Sequence, residues 1–378
     1  MHKNKVSSMN RILIITLLIS FVIIFFLGLF IGVYKFFPYS ELNDITNQLQ
    51  SKTSDFDNHN LDSVNLENLV SIQNTNDLNE KRNQLIQFIW KTNTLPKQLP
   101  NFIDTNISDE RFSNFSNLKQ IDRLTIEMEH GLSSIVYVFS PENHNGSLIL
   151  YHQGHSGGFI NGKSTIQKFL DNGFTVAAFS MPLIGLNNQP VIELENIGEV
   201  KFFKHNQFVY LESETFSSMS YFFTPLSITL NYLSTNPSFE NFHMVGISGG
   251  GWATTVYPSL DTRITKSFSI AGSLPLSLRT IVDDVGDYEQ YHPEFYSIAN
   301  YLDIYTMSSS GNGREHIQIF NKYDPCCFAG NNLSHIHDSI QQSVTSFDSG
   351  NFEIIIDDSH NEHKISNSIS EFILEKLT

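Results

Sequence analysis

Residues 244–252 read MVGISGGGW, and within them Gly246-Ile247-Ser248-Gly249-Gly250 satisfies G-x-S-x-G. That pattern sets a serine on a sharp strand-to-helix turn, and its glycines are needed because neighbouring backbone passes too close for side chains. A serine hydroxyl is a weak nucleophile until a base takes its proton, and the base needs a carboxylate to hold its tautomer. Both partners are expected later in the chain. Asp324 lies in KYDPCCF, just past the strand-like run HIQIFN, and His360 and His363 lie in DSHNEHKIS, just past FEIIID. His363 is the preferred base because it immediately precedes the serine-rich start of the last helix, around Ser366 to Ser368; His360 is the alternative. Asp283, Asp284 and Asp287 in VDDVGDYEQ are rival acids, in a stretch that reads as a surface loop or lid entry. A tetrahedral intermediate also needs backbone donors aimed at its oxyanion. The N–H of Gly249 supplies one, and the N–H of His155, in LILYHQGHSGG, supplies the other.

Such residues meet only if several chain segments converge. IDRLTIEM and LSSIVYVF are strand-like runs joined by Glu129-His130-Gly131, a hairpin signal. Strands then alternate with helices: SLILYH, a helix near Thr165 to Asp171, FTVAAFS, a helix near Leu226 to Leu233, FHMVGI, a helix through Trp252, TKSFSIA, HIQIFN, a helix from Ser334, FEIIID and a final helix to Leu377. An antiparallel start followed by repeated strand and helix units predicts an α/β fold with a mainly parallel sheet covered on both faces. In such sheets the ligand site lies at the C-terminal ends of the strands.

YHQGH, GISGGG, YDPCCF and SHNEHKIS, in this order, resemble the α/β-hydrolase superfamily from about residue 118 to the C-terminus. The resemblance implies a largely parallel eight-stranded sheet, with Ser248, Asp324 and His363 as nucleophile, acid and base, and no cofactor. Gln153 stands where a histidine usually precedes the glycine, a departure that bears on the oxyanion loop. The activity implied is that of a serine hydrolase cleaving small-molecule or polymeric esters, carboxylesterase-like, through an acyl-enzyme. A serine peptidase of the same fold and a non-catalytic, membrane-anchored binding protein are the alternatives.

The remaining features bound the answer. A formal charge of -16 excludes a nucleic-acid partner. Residues 12–33 form a run of 22 residues without charge, enough for the roughly 20 that cross a bilayer, and basic residues precede it. The expected organisation is a cytoplasmic terminus at 1–11, a transmembrane signal anchor at 12–33, a polar stalk at 34–76, a helical extension at 77–117 capped by Asp77, and a hydrolase domain at 118–378 on the extracytoplasmic side. Insertions at about 184–223 and 285–313 are expected to roof the site. No metal is expected: His152 and His155 form an H-x-x-H without the glutamate that would give it meaning, and His335 and His337 are a poor match for a zinc site with Cys326 and Cys327. The two cysteines are adjacent, either reduced or bridged to each other.

Overall fold

The computed structural model describes Leu18, residues 20–27, 70–279, 286–329, 333–347 and 349–378. The chain divides into two compact units, Met1–Leu61 and Asp62–Thr378. In the first, Leu18 and residues 20–27 are helical with exposed side chains. The rest of the expected span and most of the stalk lie outside the described residues. Among the described residues, no helix is long and apolar enough to cross a membrane.

The second unit is built on strands β1 (Phe102–Asp104), β2 (Leu118–Glu127), β3 (Ser133–Pro141), β4 (Ser147–His152), β5 (Thr175–Phe179), β6 (Val191–Leu194), β7 (Gly198–Lys201), β8 (Asn241–Ile247), β9 (Ile264–Ile270), β10 (Glu315–Asn321) and β11 (Asn351–Asp357). Nine of them form one sheet in the order β1-β2-β3-β5-β4-β8-β9-β10-β11. The pairs β1–β2, β2–β3 and β3–β5 are antiparallel, and every pair from β5–β4 to β10–β11 is parallel. Strands β6 and β7 make a separate hairpin. The expectation of eight strands is corrected to nine. The extra strand, β1, is three residues long and mostly exposed, so it lacks the alternating apolar pattern by which strands are read.

Side chains alternate between the faces of β4: Leu148 and Leu150 enter one core, Ile149 and Tyr151 the other. Helices Lys163–Asp171 and Asn367–Leu377 cover the second face, through Ile166, Phe169, Ile369 and Ile373. Thr75–Trp90, Ser220–Leu233, Gly249–Leu260, Tyr301–Ser309 and Ser334–Phe347 cover the first. The first of these helices is capped by Asn74, whose side chain accepts from the Asn76 and Asp77 N–H groups, so Asp77 is not the cap. Its Leu78, Leu85, Ile86 and Ile89 are buried, as their spacing predicts. Val70 and Ile72, expected in the stalk, already belong to the core.

The second predicted roof is corrected in part. Residues 286–313 include three helices, Tyr288–Tyr291, Pro293–Ile298 and Tyr301–Ser309. All nine residues of the last are buried, and Ser308 Oγ donates to Thr255 O on helix Gly249–Leu260 at 2.7 Å. Its tyrosines, Tyr301 and Tyr305, are buried in the core. In the first insertion, Phe202 and Phe208 are fully buried beyond the β6–β7 hairpin, while Phe203, Val209 and Tyr210 are exposed.

Candidate active site

Strand β8 ends at Ile247, and Ser248 takes φ 59° and ψ -129° before helix Gly249–Leu260 begins. A side chain other than glycine's rarely tolerates positive φ, and the surrounding packing holds this one there. Ser248 N–H donates to Ile270 O at the end of β9 (2.9 Å). A β-carbon on Gly246 would sit 2.2 Å from Gly250 O, and one on Gly250 would sit 2.1 Å from His152 O. The strand, turn and helix order that the motif requires is therefore present.

Adjacent parallel strands β10 and β11 end at the same edge of the sheet and carry the next two candidates. The turn after β10 presents Asp324, with its Oδ1 accepting from the N–H groups of Cys326 (2.8 Å) and Cys327 (3.0 Å). Those two adjacent cysteines are paired with each other. Asp324 Oδ2 is 2.7 Å from His363 Nδ1 and also accepts from Asn321 Nδ2 at 3.2 Å. The same Asn321 amide donates to Lys364 O (3.1 Å), fastening the loop after β11 to the turn after β10. His363 Nε2 is buried and has no hydrogen-bond partner among the described residues.

His360 has different surroundings. Its Nε2 lies 3.1 Å from Asp357 Oδ2, and its Nδ1 accepts from the Glu362 N–H at 3.1 Å. Both ring nitrogens are engaged within its own loop. Asp357, although burial works against its charge, is held below the usual carboxylate range chiefly by hydrogen bonds from Ser359 and Ser366. Ser366 caps the last helix by accepting from the Ile369 N–H. Of the rival acids, Asp287 faces His155 and not His363, while Asp283 and Asp284 lie outside the described residues.

The loop after β4 packs directly on Ser248. A β-carbon on Gly154 would fall 2.4 Å from Ser248 Cβ, and one on Gly249 would fall 2.4 Å from His155 Cε1. Gly249 opens its helix, so its N–H is among those with no intrahelical acceptor. His152 does not share a site with His155. It stacks on Phe179, donates from Nδ1 to Gln153 O, and is pushed down to about 4 by burial. His337 pairs with Asp338 and not with the bridged cysteines.

No family model matches the chain, and no curated protein matches it. Solved structures do. Over 82% of this chain, acetyl xylan esterase 1 from Thermoanaerobacterium sp. JW/SL YS485 and the acetyl xylan esterase from Paenibacillus sp. R4 each superpose with a TM-score of 0.54 at 12% identity, covering 97% of their own length. Methylesterase BT1017 superposes over 82% of this chain and 65% of its own, with a TM-score of 0.57 at 13% identity. The chain has the fold of these esterases. They are of the α/β-hydrolase type, and a mixed α/β fold with a large, mostly parallel sheet is common to all.

Within this fold one group near Ser248 was not legible in the sequence. The His155 imidazole reaches Glu289 Oε1 (2.8 Å), Asp287 Oδ2 (3.2 Å) and His205 Nδ1 (3.2 Å). Burial opposes the charge on Glu289, but His205 and His155 hold its carboxyl far below the usual range; burial likewise opposes protonation of His155, and Glu289 together with Asp287 more than offsets it. His205 and Glu289 come from the two insertions, 84 positions apart, and no short motif links them. A groove of about 610 Å³ lined by Trp90, Leu95, Met128 and Phe216 contains none of these residues.

Proposed function

We propose that the protein is a serine hydrolase that cleaves esters. The observation that carries this reading is the His363–Asp324 pair, 2.7 Å apart, whose outer nitrogen is left without a partner beyond the same sheet edge as Ser248. Asp324 accepts the Nδ1–H and fixes the tautomer in which Nε2 has a lone pair, and Nε2 takes the Ser248 proton as Oγ attacks the ester carbonyl. The N–H groups of Gly249 and His155 stabilise the oxyanion. Protonated His363 then returns the proton to the departing alcohol, leaving an acyl-enzyme that water hydrolyses by the same route. The intact set of three candidates supports this reading over a non-catalytic binding protein.

The structural neighbours named above are esterases acting on acetyl and methyl esters by name, which supports a short acyl or alkoxy group as substrate. The apolar run at 12–33 supports attachment to a membrane with the hydrolase domain outside. The test is labelling of the full-length protein with a fluorophosphonate and hydrolysis of p-nitrophenyl acetate. Labelling lost in Ser248→Ala and in His363→Ala is the expected result. A folded parent that neither labels nor turns over the acetate ester would overturn the reading.

A further inference from the structure

The imidazoles of His155 and His205 and the carboxylates of Glu289 and Asp287 meet beside the candidate oxyanion loop, drawn from three segments remote in sequence. His155 follows β4, His205 begins the helical turn His205–Leu211, and Asp287 and Glu289 lie at the start of Tyr288–Tyr291. The His205 side chain is 3% exposed and that of Glu289 fully buried, so neither can rely on water. Asp287, 47% exposed, closes the group on the solvent side.

Protons alone fit this geometry poorly. His205 Nε2 lies 2.9 Å from Pro182 O, which can only accept, so Nε2 holds a hydrogen. In the neutral ring Nδ1 is then a bare lone pair, yet it faces Glu289 Oε1 and Oε2 at 3.2 and 3.1 Å. His155 Nε2 faces three groups at once, and one hydrogen serves only one of them. If both rings carry two hydrogens, the N–H groups of His155 and His205 confront each other at 3.2 Å.

We propose that His155 Nε2, His205 Nδ1, Glu289 and Asp287 form a site for a single divalent metal ion of the zinc class. Two imidazole nitrogens and two carboxylate oxygens are a donor set that suits tetrahedral Zn²⁺, and its bonds of about 2.0–2.1 Å separate neighbouring ligand atoms by about 3.3–3.4 Å. His155, His205 and Glu289, whose donor atoms stand 2.8–3.2 Å apart, reach that value with shifts of a few tenths of an ångström, whereas the half-exposed Asp287, which touches only His155, must swing further to complete the set. The hydrogen bond from His205 Nε2 to Pro182 O is the outer contact that metal-binding histidines ordinarily make. The ion ties both insertions to the loop carrying His155, whose ring lies against Gly249. It positions that loop and takes no part in acyl transfer. The site stands whether or not Ser248 is a nucleophile.

The experiment uses full-length protein stripped with a chelator and titrated with Co²⁺ or Zn²⁺, read by metal analysis and by the visible bands of four-coordinate Co²⁺. One equivalent per chain is expected, with those bands, in the parent and in Ser248→Ala and His363→Ala. Retention in His363→Ala separates this site from the other group of possible ligand atoms, Cys326, Cys327 and His363. His205→Ala and Glu289→Ala should lose the bound metal. Where either fails to fold, Asp287→Asn at the exposed edge should bind at least about tenfold more weakly, the loss seen on removing even an outer partner of a metal ligand. Folded parent that takes up no stoichiometric metal, or uptake equal in parent and all three ligand variants, overturns the proposal.

Discussion

Two histidine–carboxylate groups lie among the loops at the C-terminal edge of the parallel strands, and they are built on opposite principles. On the β10–β11 side one imidazole meets one carboxylate, and its second nitrogen has no partner among the described residues. On the β4 side two imidazoles converge on the Glu289 carboxylate, with Asp287 against one of them. The first arrangement leaves a lone pair available to accept a proton. The second leaves none of the converging atoms available, and suits holding a positive charge in place. A histidine beside a reactive serine is therefore not by itself a base; the partners of both ring nitrogens decide its role.

The contrast breaks most visibly at Ser248. Ser248→Ala should lower the turnover number for p-nitrophenyl acetate by about a millionfold if the pair works as a unit with the serine. Steady-state and burst kinetics check this, and a variant retaining a tenth of parental turnover would remove Ser248 from the mechanism. Asp324→Asn keeps the shape of the pair but permits the wrong tautomer of His363, so a loss of about ten-thousandfold is expected. Gly154→Ala sharpens the comparison from the other side. Its methyl group would press on Ser248 Cβ, so about 1–3 kcal/mol of stability should be lost in urea unfolding, together with activity.

A smaller effect concerns pH. Burial pushes His152 and His243 down to about 4 and His316 to about 3, so the unfolded chain takes up protons first as the pH falls. Stability from these groups is whole above the ordinary histidine range. It should decline below about pH 6.5 by up to about 1.4 kcal/mol per pH unit for each histidine. Urea midpoints measured between neutral and mildly acidic pH check the slope, and a flat profile would contradict neutral burial. The smallest change is expected from His360→Ala: about 1 kcal/mol of stability for its local hydrogen bonds, with turnover at the parental level. If His360→Ala abolished fluorophosphonate labelling while His363→Ala did not, the two histidines would exchange roles.

Much of the fold was legible because parallel strands buried on both faces read as short apolar runs, and SLILYH coincides with β4. Strand β1 escaped because a short exposed edge strand carries no such run. Helix Tyr301–Ser309 was mistaken for roof because tyrosines, serines and threonines disguise a wholly buried segment; its hydroxyls are satisfied internally, as when Thr306 Oγ1 donates to Leu302 O. Ser248, Asp324 and His363 could be singled out as candidates because each follows a readable strand, and the structure pairs the last two and sets Ser248 on its strand-to-helix turn. His205 and Glu289 could not, because they sit in insertions whose spacing obeys no local geometry.

Asn321, at the end of β10, joins Asp324 to the carbonyl of Lys364, so the loops carrying Asp324 and His363 are stitched to each other independently of Ser248. Removing the Ser248 hydroxyl should therefore leave His363 and Asp324 where they stand. On the proposed hydrolase reading, a Ser248→Ala protein then becomes a trap with an undistorted mouth: incubated with a complex extract of natural esters, it would retain its preferred molecule uncleaved for mass spectrometry to identify.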